Sequence, residues 1–292
     1  MYSHIQETVL RAEAAAANAD LDATLAILRE LSPDDFGVVL LTMPDPTYPR
    51  LSALLPKMAD EQVQRDWTGN AGLPLLAQSL DFVRSVALRF QQVTGRPLQD
   101  SAILDFGCGY GRILRLMAFF SAPDRLWGVD PWDRSIAICR EDRMFGNLSV
   151  SDYLPRTLPV GSARFDLSYA FSVFTHLSER TAKLCLATLR EYVADNGLLV
   201  ITVRPIEYWD VVAQVGNPDN ADVEARKRDH QARGYAFSPH GRPAVEGEVT
   251  YGDTSLTMEW LRQNAPGWEI AGYDHTVTDW LQIIVYLRPT AR

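Results

Sequence analysis

The chain has 292 residues, 47% of them hydrophobic, which is enough to bury a sizeable core in one large domain or in one domain with an appendage. Its formal net charge is -9 at pH 7. An acidic surface repels phosphate backbones, so this charge disfavours a nucleic-acid substrate.

Cysteine spacing and apolar patterning favour a cytoplasmic protein. The three cysteines, Cys108, Cys139 and Cys185, lack the close spacing of a zinc or redox site. No signal peptide is visible from Met1 to Arg11, and no apolar run approaches the roughly 18 residues of a membrane span. We therefore expect a reduced, cytoplasmic compartment, no membrane association and no bound metal, and the sequence leaves the oligomeric state open.

The first third of the chain is predicted to be helical. Residues 12–31 are rich in alanine and leucine, and Ser32-Pro33-Asp34-Asp35 is typical of a helix start. Residues 75–94 carry apolar side chains at helical spacing. We expect a helical N-terminal region or cap over residues 1–96.

From Ser101 onwards, short apolar runs alternate with helical stretches. The predicted strands are 102–106, 126–130, 148–150, 165–171 and 197–203, and the predicted helices between them are 113–120, 133–143 and 178–194. A further helix at 255–263 and a pair of strands at 268–273 and 280–287 close the chain. The alternation predicts an α/β core over residues 97–292, with a mostly parallel sheet wrapped by helices.

Residues 206–254 interrupt this rhythm with a polar and aromatic insertion. So long an insertion is more often a lid or binding element than a connector. Tyr208, Trp209 and His240 are predicted to line a substrate pocket, although aromatic residues in such a segment serve equally well to anchor a lid.

A glycine-rich turn, DFGCGYG at 105–111, follows the first predicted strand and leads into a helix. Glycines allow a tight turn and let a ligand approach the backbone. The dinucleotide fingerprint G-x-G-x-x-G would end at Arg112, where a large side chain suits a pyrophosphate poorly. Asp105 would repel a pyrophosphate too, whereas it attracts an ammonium or sulfonium group.

A second acid lies at the tip of the second predicted strand. Asp130 follows Asp105 by 25 residues and is expected to accept the ribose hydroxyls of an adenosine. Pro131 and Trp132 come next and are expected to form an apolar wall against adenine. The turn and the two acids together favour a cationic adenosine cofactor.

These motifs resemble those of class I S-adenosylmethionine-dependent methyltransferases. ILDFGCGYGR at 103–112 resembles their first motif, and GVD at 128–130 resembles their second. Residues 165–177 are similar to their fourth-strand segment, and residues 196–202 are similar to their fifth strand. The resemblance covers roughly 101–203 and implies a Rossmann-like doubly wound sheet of order 3-2-1-4-5-7-6 that ends in an antiparallel hairpin, with S-adenosyl-L-methionine as cofactor.

The resemblance also implies a set of cofactor contacts. Such enzymes place a polar residue after the third strand near the adenine amino group, and Asp152 matches it, with Tyr153 beside it. The expected cofactor-binding residues are Asp105, Phe106, Gly107, Cys108, Gly109, Gly111, Asp130, Pro131, Trp132, Asp152, Tyr153 and Phe171.

One candidate base and two further substrate contacts complete the prediction. His176 follows the fourth strand and is expected to deprotonate the acceptor; the alternative is a capping or core histidine bonded to the backbone. Trp67 and Asn70 are expected to reach the substrate or the methionine end of the cofactor, or else to form a capping turn.

The expected function is metal-independent methylation of an oxygen or nitrogen atom of a small molecule. Two alternatives remain: an NAD(P)-type oxidoreductase on a similar sheet, and a non-catalytic module that binds S-adenosylmethionine.

Overall fold

The computed structural model describes residues 3–215 and 222–291. The chain divides into two compact units. Unit 1 comprises Met1–Leu88 and Pro97–Val150, and unit 2 comprises Arg89–Arg96 and Ser151–Arg292. The sequence-based boundary between residues 96 and 97 stays a prediction.

The N-terminal third is helical, as predicted. Asp20 and Ser32 cap two of its helices by accepting hydrogen bonds from the amides of Ala23 and Asp35, at 2.9 and 3.1 Å. The helices are α1 (Gln6–Ala15), α2 (Leu21–Leu28), α3 (Pro33–Thr42), α4 (Pro49–Leu54), α5 (Glu61–Thr68) and α6 (Gly72–Thr94).

Three parallel strands complete unit 1. Strand β2 (Leu126–Asp130) lies between β1 (Ile103–Phe106) and β3 (Asn147–Val150), and every residue of β1 is buried. Helix α8 (Asp133–Glu141) follows β2, whereas the helix predicted at 113–120 is only the single turn α7 (Leu114–Met117). The glycine-rich turn takes up the residues that precede α7.

Unit 2 contains four strands of the main sheet and the insertion. Strand β4 (Phe165–Ala170) runs parallel to β5 (Val193–Val203), and β9 (Ile283–Pro289) lies antiparallel between β5 and β8 (Trp268–His275). The insertion forms its own antiparallel pair, β6 (Tyr235–Pro239) and β7 (Gly252–Leu256). The helices of this unit are α9 (Glu179–Tyr192), α10 (Tyr208–Val215), α11 (Val223–Arg233) and α12 (Met258–Asn264).

The strand order of the seven-stranded sheet is β3-β2-β1-β4-β5-β9-β8. It confirms the predicted α/β, Rossmann-like order 3-2-1-4-5-7-6, because β8 and β9 are the sixth and seventh strands of this sheet in the chain. The start of the last predicted helix was wrong: the helix predicted from Ser255 begins at Met258, since Ser255 lies in β7 and Thr257 caps the helix through the amide of Trp260.

Over the described ranges, no helix has both the length and the apolar character that a membrane crossing requires.

The turn into β3 generates a stability prediction. Gly146 has φ +85°, and a Cβ added there lies 2.6 Å from the backbone oxygen of Leu126, which cannot move aside. Gly161 has φ +60° with nothing within 4 Å of an added Cβ, so it is the matched control. We expect Gly146→Ala to lower the free energy of unfolding by about 1–3 kcal/mol more than Gly161→Ala. Urea denaturation measures both, and equal losses would contradict the steric argument.

Candidate active site

The glycine-rich turn is held against the end of β2. The amides of Gly107 and Cys108 both donate to the carbonyl of Val129, at 2.7 and 3.1 Å. Gly107, Gly109 and Gly111 all have positive φ, and a Cβ added at Gly111 lies 2.8 Å from Met144. The turn therefore needs glycine both for its backbone conformation and for its close packing.

Asp130 fastens the same turn from the tip of β2. Its Oδ2 accepts the amide of Gly109 and its Oδ1 accepts the amide of Trp132, both at 2.9 Å. Burial raises the pKa of this carboxyl group above its usual value. A carboxylate has about four acceptor positions. The two amides and the Ser135 hydroxyl take three of these positions and leave capacity for a ribose hydroxyl, so the residues present fit the predicted adenosine.

Trp132 presents an aromatic surface next to this acid. Its ring stacks on Trp67 of α5, with centroids 4.7 Å apart, and it remains 40% exposed. Trp67 also contacts Tyr110 of the turn at 5.7 Å. Pro131 is partly buried beside them. One face of Trp132 is thus covered by Trp67, and the exposed remainder is available to a flat ligand.

Asp105 and Arg112, the residues that distinguished the cofactor classes in the sequence, lie at the two ends of the glycine-rich turn. Asp105 is 3% exposed at the third position of β1, next to the buried Phe106. The Arg112 guanidinium donates to Gln78 of α6 at 2.8 Å, so a charged side chain occupies the position where a dinucleotide fold has glycine.

A hydrogen bond with Cys139 and burial raise the pKa of the Cys108 thiol, which keeps it protonated.

Four further residues of the predicted set lie just after the strands or in the turn before α6. Asp152 and Tyr153 are exposed after β3, and Phe171 is partly buried just beyond β4. Asn70 is exposed and its side chain accepts the amide of Ala71, as in a capping turn. Their roles toward cofactor or substrate stay predictions.

Unit 2 contains a polar cluster around a buried carboxylate. We call Asp253 and its neighbours His176, Arg204, Tyr208 and His240 the Asp253 cluster. His176 follows β4, Arg204 directly follows β5, Tyr208 begins α10, and His240 and Asp253 belong to the insertion hairpin. The cluster therefore joins the carboxyl ends of two parallel strands to the insertion, the edge at which open α/β sheets bind ligands.

Strand β7 is hydrogen-bonded to the loop after β4. The amides of Gly252 and Thr254 donate to the carbonyls of His176 and Thr175, at 2.8 and 2.9 Å. The amide of Ser178 donates to the carbonyl of Thr250 at 3.0 Å. These bonds fix the insertion hairpin at the strand ends of unit 2.

The Asp253 carboxylate accepts three hydrogen bonds from the cluster. Arg204 Nη1 and the Tyr208 hydroxyl each donate to Oδ1 at 2.7 Å, and His240 Nε2 lies 3.0 Å from Oδ2. The Asp253 side chain is only 5% exposed. Arg204 also lies over the Tyr208 ring, with its Cζ 3.9 Å from the centroid, and burial raises the pKa of Tyr208. Arg204 provides the countercharge that a buried carboxylate requires.

His176, the predicted base, is bonded at both ring nitrogens. Its Nδ1 lies 2.7 Å from the carbonyl oxygen of Gly252, and its Nε2 lies 3.2 Å from Nη2 of Arg204. A carbonyl oxygen only accepts and a guanidinium only donates, so Nδ1 carries the hydrogen and Nε2 carries the lone pair. Burial, then the Arg204 charge, lower the pKa of His176 to about 3. These contacts favour a neutral, structural histidine, and the base role stays a prediction.

Trp209 is completely buried, and its indole nitrogen donates to Ser255 at 2.7 Å. It packs in an apolar cluster with Val212 and Ala236, so its position favours anchoring the insertion over contacting a substrate. Tyr208 and His240, by contrast, belong to the Asp253 cluster.

Sequence reasoning missed Arg204 and Asp253. Arg204 carried a signal, because it directly follows a strand of the parallel sheet at the ligand edge. Asp253 carried no signal, because its neighbours in the chain do not distinguish it from an exposed acid.

Among the described residues, no group of three or more His, Cys, Asp or Glu side chains is arranged to hold a metal ion.

Comparison with known proteins points to methyltransferases. A family model described as "Methyltransferase domain" matches residues 103–197. The ubiquinone biosynthesis O-methyltransferase of Azorhizobium caulinodans is 31% identical over 129 residues, which cover 42% of this chain and 49% of that protein. The chain thus spans about half the length of the curated relative it matches.

One solved methyltransferase shares the fold, and a second is similar at a lower score. The magnesium protoporphyrin IX methyltransferase of Synechocystis, solved with bound SAH, has a TM-score of 0.51 and 14% identity, over 78% of this chain and 94% of that one. An S-adenosylmethionine-dependent methyltransferase from Clostridium acetobutylicum has a TM-score of 0.49 and 13% identity, over 72% and 90% of the two chains. The matched domain, the motifs and the strand order together support the predicted resemblance to class I S-adenosylmethionine-dependent methyltransferases.

Proposed function

We propose that this protein transfers the methyl group of S-adenosylmethionine to an oxygen or nitrogen atom of a small molecule in the cytoplasm, without a metal. The observation that carries the proposal is the glycine turn. Asp130 accepts the amide of Gly109 within this turn, and the buried Asp105 stands at its start. Such a turn offers acceptors for hydroxyl groups and an anion for a cationic ligand.

Each part of the unit 1 site has a proposed task. When bound, the cofactor supplies a methyl group already activated by its sulfonium centre. Asp130 would accept the ribose hydroxyls, and Trp132 would cover adenine with its exposed surface. Asp105 would attract the positive charge of the methionine end. These residues bind and orient, which is most of what an in-line methyl transfer requires of a protein.

The acceptor class is inferred from charge and from the insertion. The net charge of -9 disfavours nucleic acid, and the Asp253 cluster lies at the strand ends of unit 2, where such folds bind their ligands. The curated relative is named as an O-methyltransferase, which supports oxygen as the acceptor atom. No observation here favours the two alternatives, an oxidoreductase or a non-catalytic binder.

Calorimetric titration and methyl transfer test the proposal. We expect S-adenosylhomocysteine to bind at one site and NAD+ and NADP+ not to bind, because Arg112 fills the position that a dinucleotide fold keeps small. Incubation with methyl-labelled S-adenosylmethionine and a panel of phenols, alcohols and amines should label at least one small molecule. Binding of NAD(P) without S-adenosylhomocysteine would overturn the proposal, and S-adenosylhomocysteine binding without any transfer would favour a non-catalytic module.

Asp130→Asn tests the ribose contact. The amide keeps one acceptor oxygen for the turn but removes the charge, so we expect the affinity for S-adenosylhomocysteine to fall about 10- to 100-fold, or ~1.5–3 kcal/mol. Asp133→Asn is the matched control, because Asp133 is an exposed acid three residues further on. Titration calorimetry compares the two variants, and equal affinities would rule out a ribose contact by Asp130.

The lowered pKa of His176 predicts that the protein becomes less stable as the pH falls. Its pKa of about 3 in the folded protein lies below the unfolded value of about 6.5, so folding favours the neutral ring. The resulting stability is complete above pH 6.5 and is lost as the pH falls towards 3. The free energy of unfolding of the wild type should therefore approach that of His176→Gln by up to ~1.4 kcal/mol per pH unit. Urea denaturation from pH 7 to 4 measures this gap, and a constant gap would show that His176 titrates normally.

A further inference from the structure

His240 has the geometry of an oriented base. It directly follows β6, and its Nε2 lies 3.0 Å from Oδ2 of Asp253. An ionised carboxylate only accepts, so Nε2 carries the hydrogen and donates it, which leaves the lone pair of the neutral ring on Nδ1. His240 is 24% exposed at its side chain, whereas Asp253 is 5% exposed. A buried acid thus orients a partly exposed imidazole.

The second nitrogen distinguishes His240 from His176. Within residues 3–215 and 222–291, Nδ1 of His240 has no hydrogen-bond partner. The lone pair of His176, by contrast, is occupied by Nη2 of Arg204. The two rings lie 6.3 Å apart between centroids, on either side of the same carboxylate. Of these two rings, His240 is therefore the one whose lone pair can accept a proton from a ligand.

The charges around His240 permit a transient imidazolium. Asp253 faces Nε2 directly and stabilises a positive ring, while Arg204 opposes it from the other carboxylate oxygen. Tyr208 and Tyr251, the phenols near the ring, are neutral donors or packing surfaces, and Arg242 lies against the Tyr251 ring with its Cζ 4.2 Å from the centroid. An anion is therefore hydrogen-bonded to the ring, and Arg204 is already paired with that anion.

We propose that Nδ1 of His240 removes the proton of the methyl acceptor, that Asp253 positions the ring, and that the acceptor is a hydroxyl compound such as a phenol. A hydroxyl group must lose its proton during transfer, so it needs a base at this place. This inference rests on the proposed methyl-transfer function and names its acceptor class.

The step balances without a further reactant. The acceptor oxygen forms the new bond to the methyl carbon, and the carbon–sulfur bond breaks with its electron pair passing to sulfur, which becomes a neutral thioether. The hydroxyl proton passes to Nδ1 of His240, and the imidazolium pairs with Asp253. Solvent then takes the proton from the exposed ring, which restores the neutral histidine.

The tautomers can be measured without an acceptor. With histidine labelled by nitrogen-15 in the full chain, the wild type should show a pyridine-like Nδ1 for His240 and a pyridine-like Nε2 for His176, assigned from the spectra of His240→Gln and His176→Gln. Diethyl pyrocarbonate, which acylates accessible unprotonated imidazoles, should modify His240 at least tenfold faster than His176 and the buried His230, as read by mass spectrometry. A hydrogen on Nδ1 of His240, or a His240 as unreactive as His176, overturns the proposal.

Turnover tests the catalytic step separately from the cofactor site. With the hydroxyl acceptor that the panel yields, His240→Gln should lower kcat at least 100-fold while the Kd for S-adenosylhomocysteine stays within twofold. His275→Gln, at an exposed histidine of β8, should change neither. Unchanged kcat in His240→Gln, or methylation of amines alone, overturns the inference but leaves the proposed function intact. If the wild type itself failed to bind S-adenosylhomocysteine, that result would instead refute the proposed function.

Discussion

The buried carboxylate of Asp253 organises the side chains at the carboxyl ends of β4 and β5 in unit 2. Asp253 is almost fully enclosed, and an isolated charge in such a place is costly, so the surrounding chain must supply donors. It does so from three places: Arg204 after β5, Tyr208 at the start of α10 and His240 after β6. Detachment of the insertion from the strand ends would therefore separate Asp253 from the guanidinium that balances its charge. Satisfying this one charge determines where the side chains of the Asp253 cluster must lie.

Unit 1 uses a carboxylate in a comparable way, but on its own backbone. Asp130 accepts amides from the glycine turn on one side and from Trp132 on the other, so the turn and the start of the following helix are aligned before any ligand binds. Preorganisation of this kind lowers the entropic cost of binding, because the acceptors need not be assembled around the ligand. The buried acid is thus both a structural clamp and the proposed ribose contact.

The part of the site that is local in sequence could be predicted from the sequence, and the nonlocal part could not. The glycine turn, Asp105 and Asp130 lie within one β-α-β repeat, whose periodicity predicted their place at the strand ends, and the family resemblance implied the strand order that the structure shows. The Asp253 cluster draws on residues from 176 to 253, and only tertiary packing brings Arg204 and Asp253 together. The start of the helix predicted from Ser255 was wrong for a related reason: pairing of β7 with β6 overrode the local pattern.

The two histidines of the cluster show how neighbours set the chemistry of a side chain. His176 faces a carbonyl oxygen at Nδ1 and a guanidinium at Nε2, so its hydrogen and its lone pair are both committed. His240 faces the carboxylate at Nε2, which fixes the opposite tautomer and leaves its lone pair on Nδ1. The sequence favoured His176 because it follows a strand at the ligand edge. Position at that edge is necessary for a base, but it is not sufficient, because a base also needs a lone pair that no neighbour has taken.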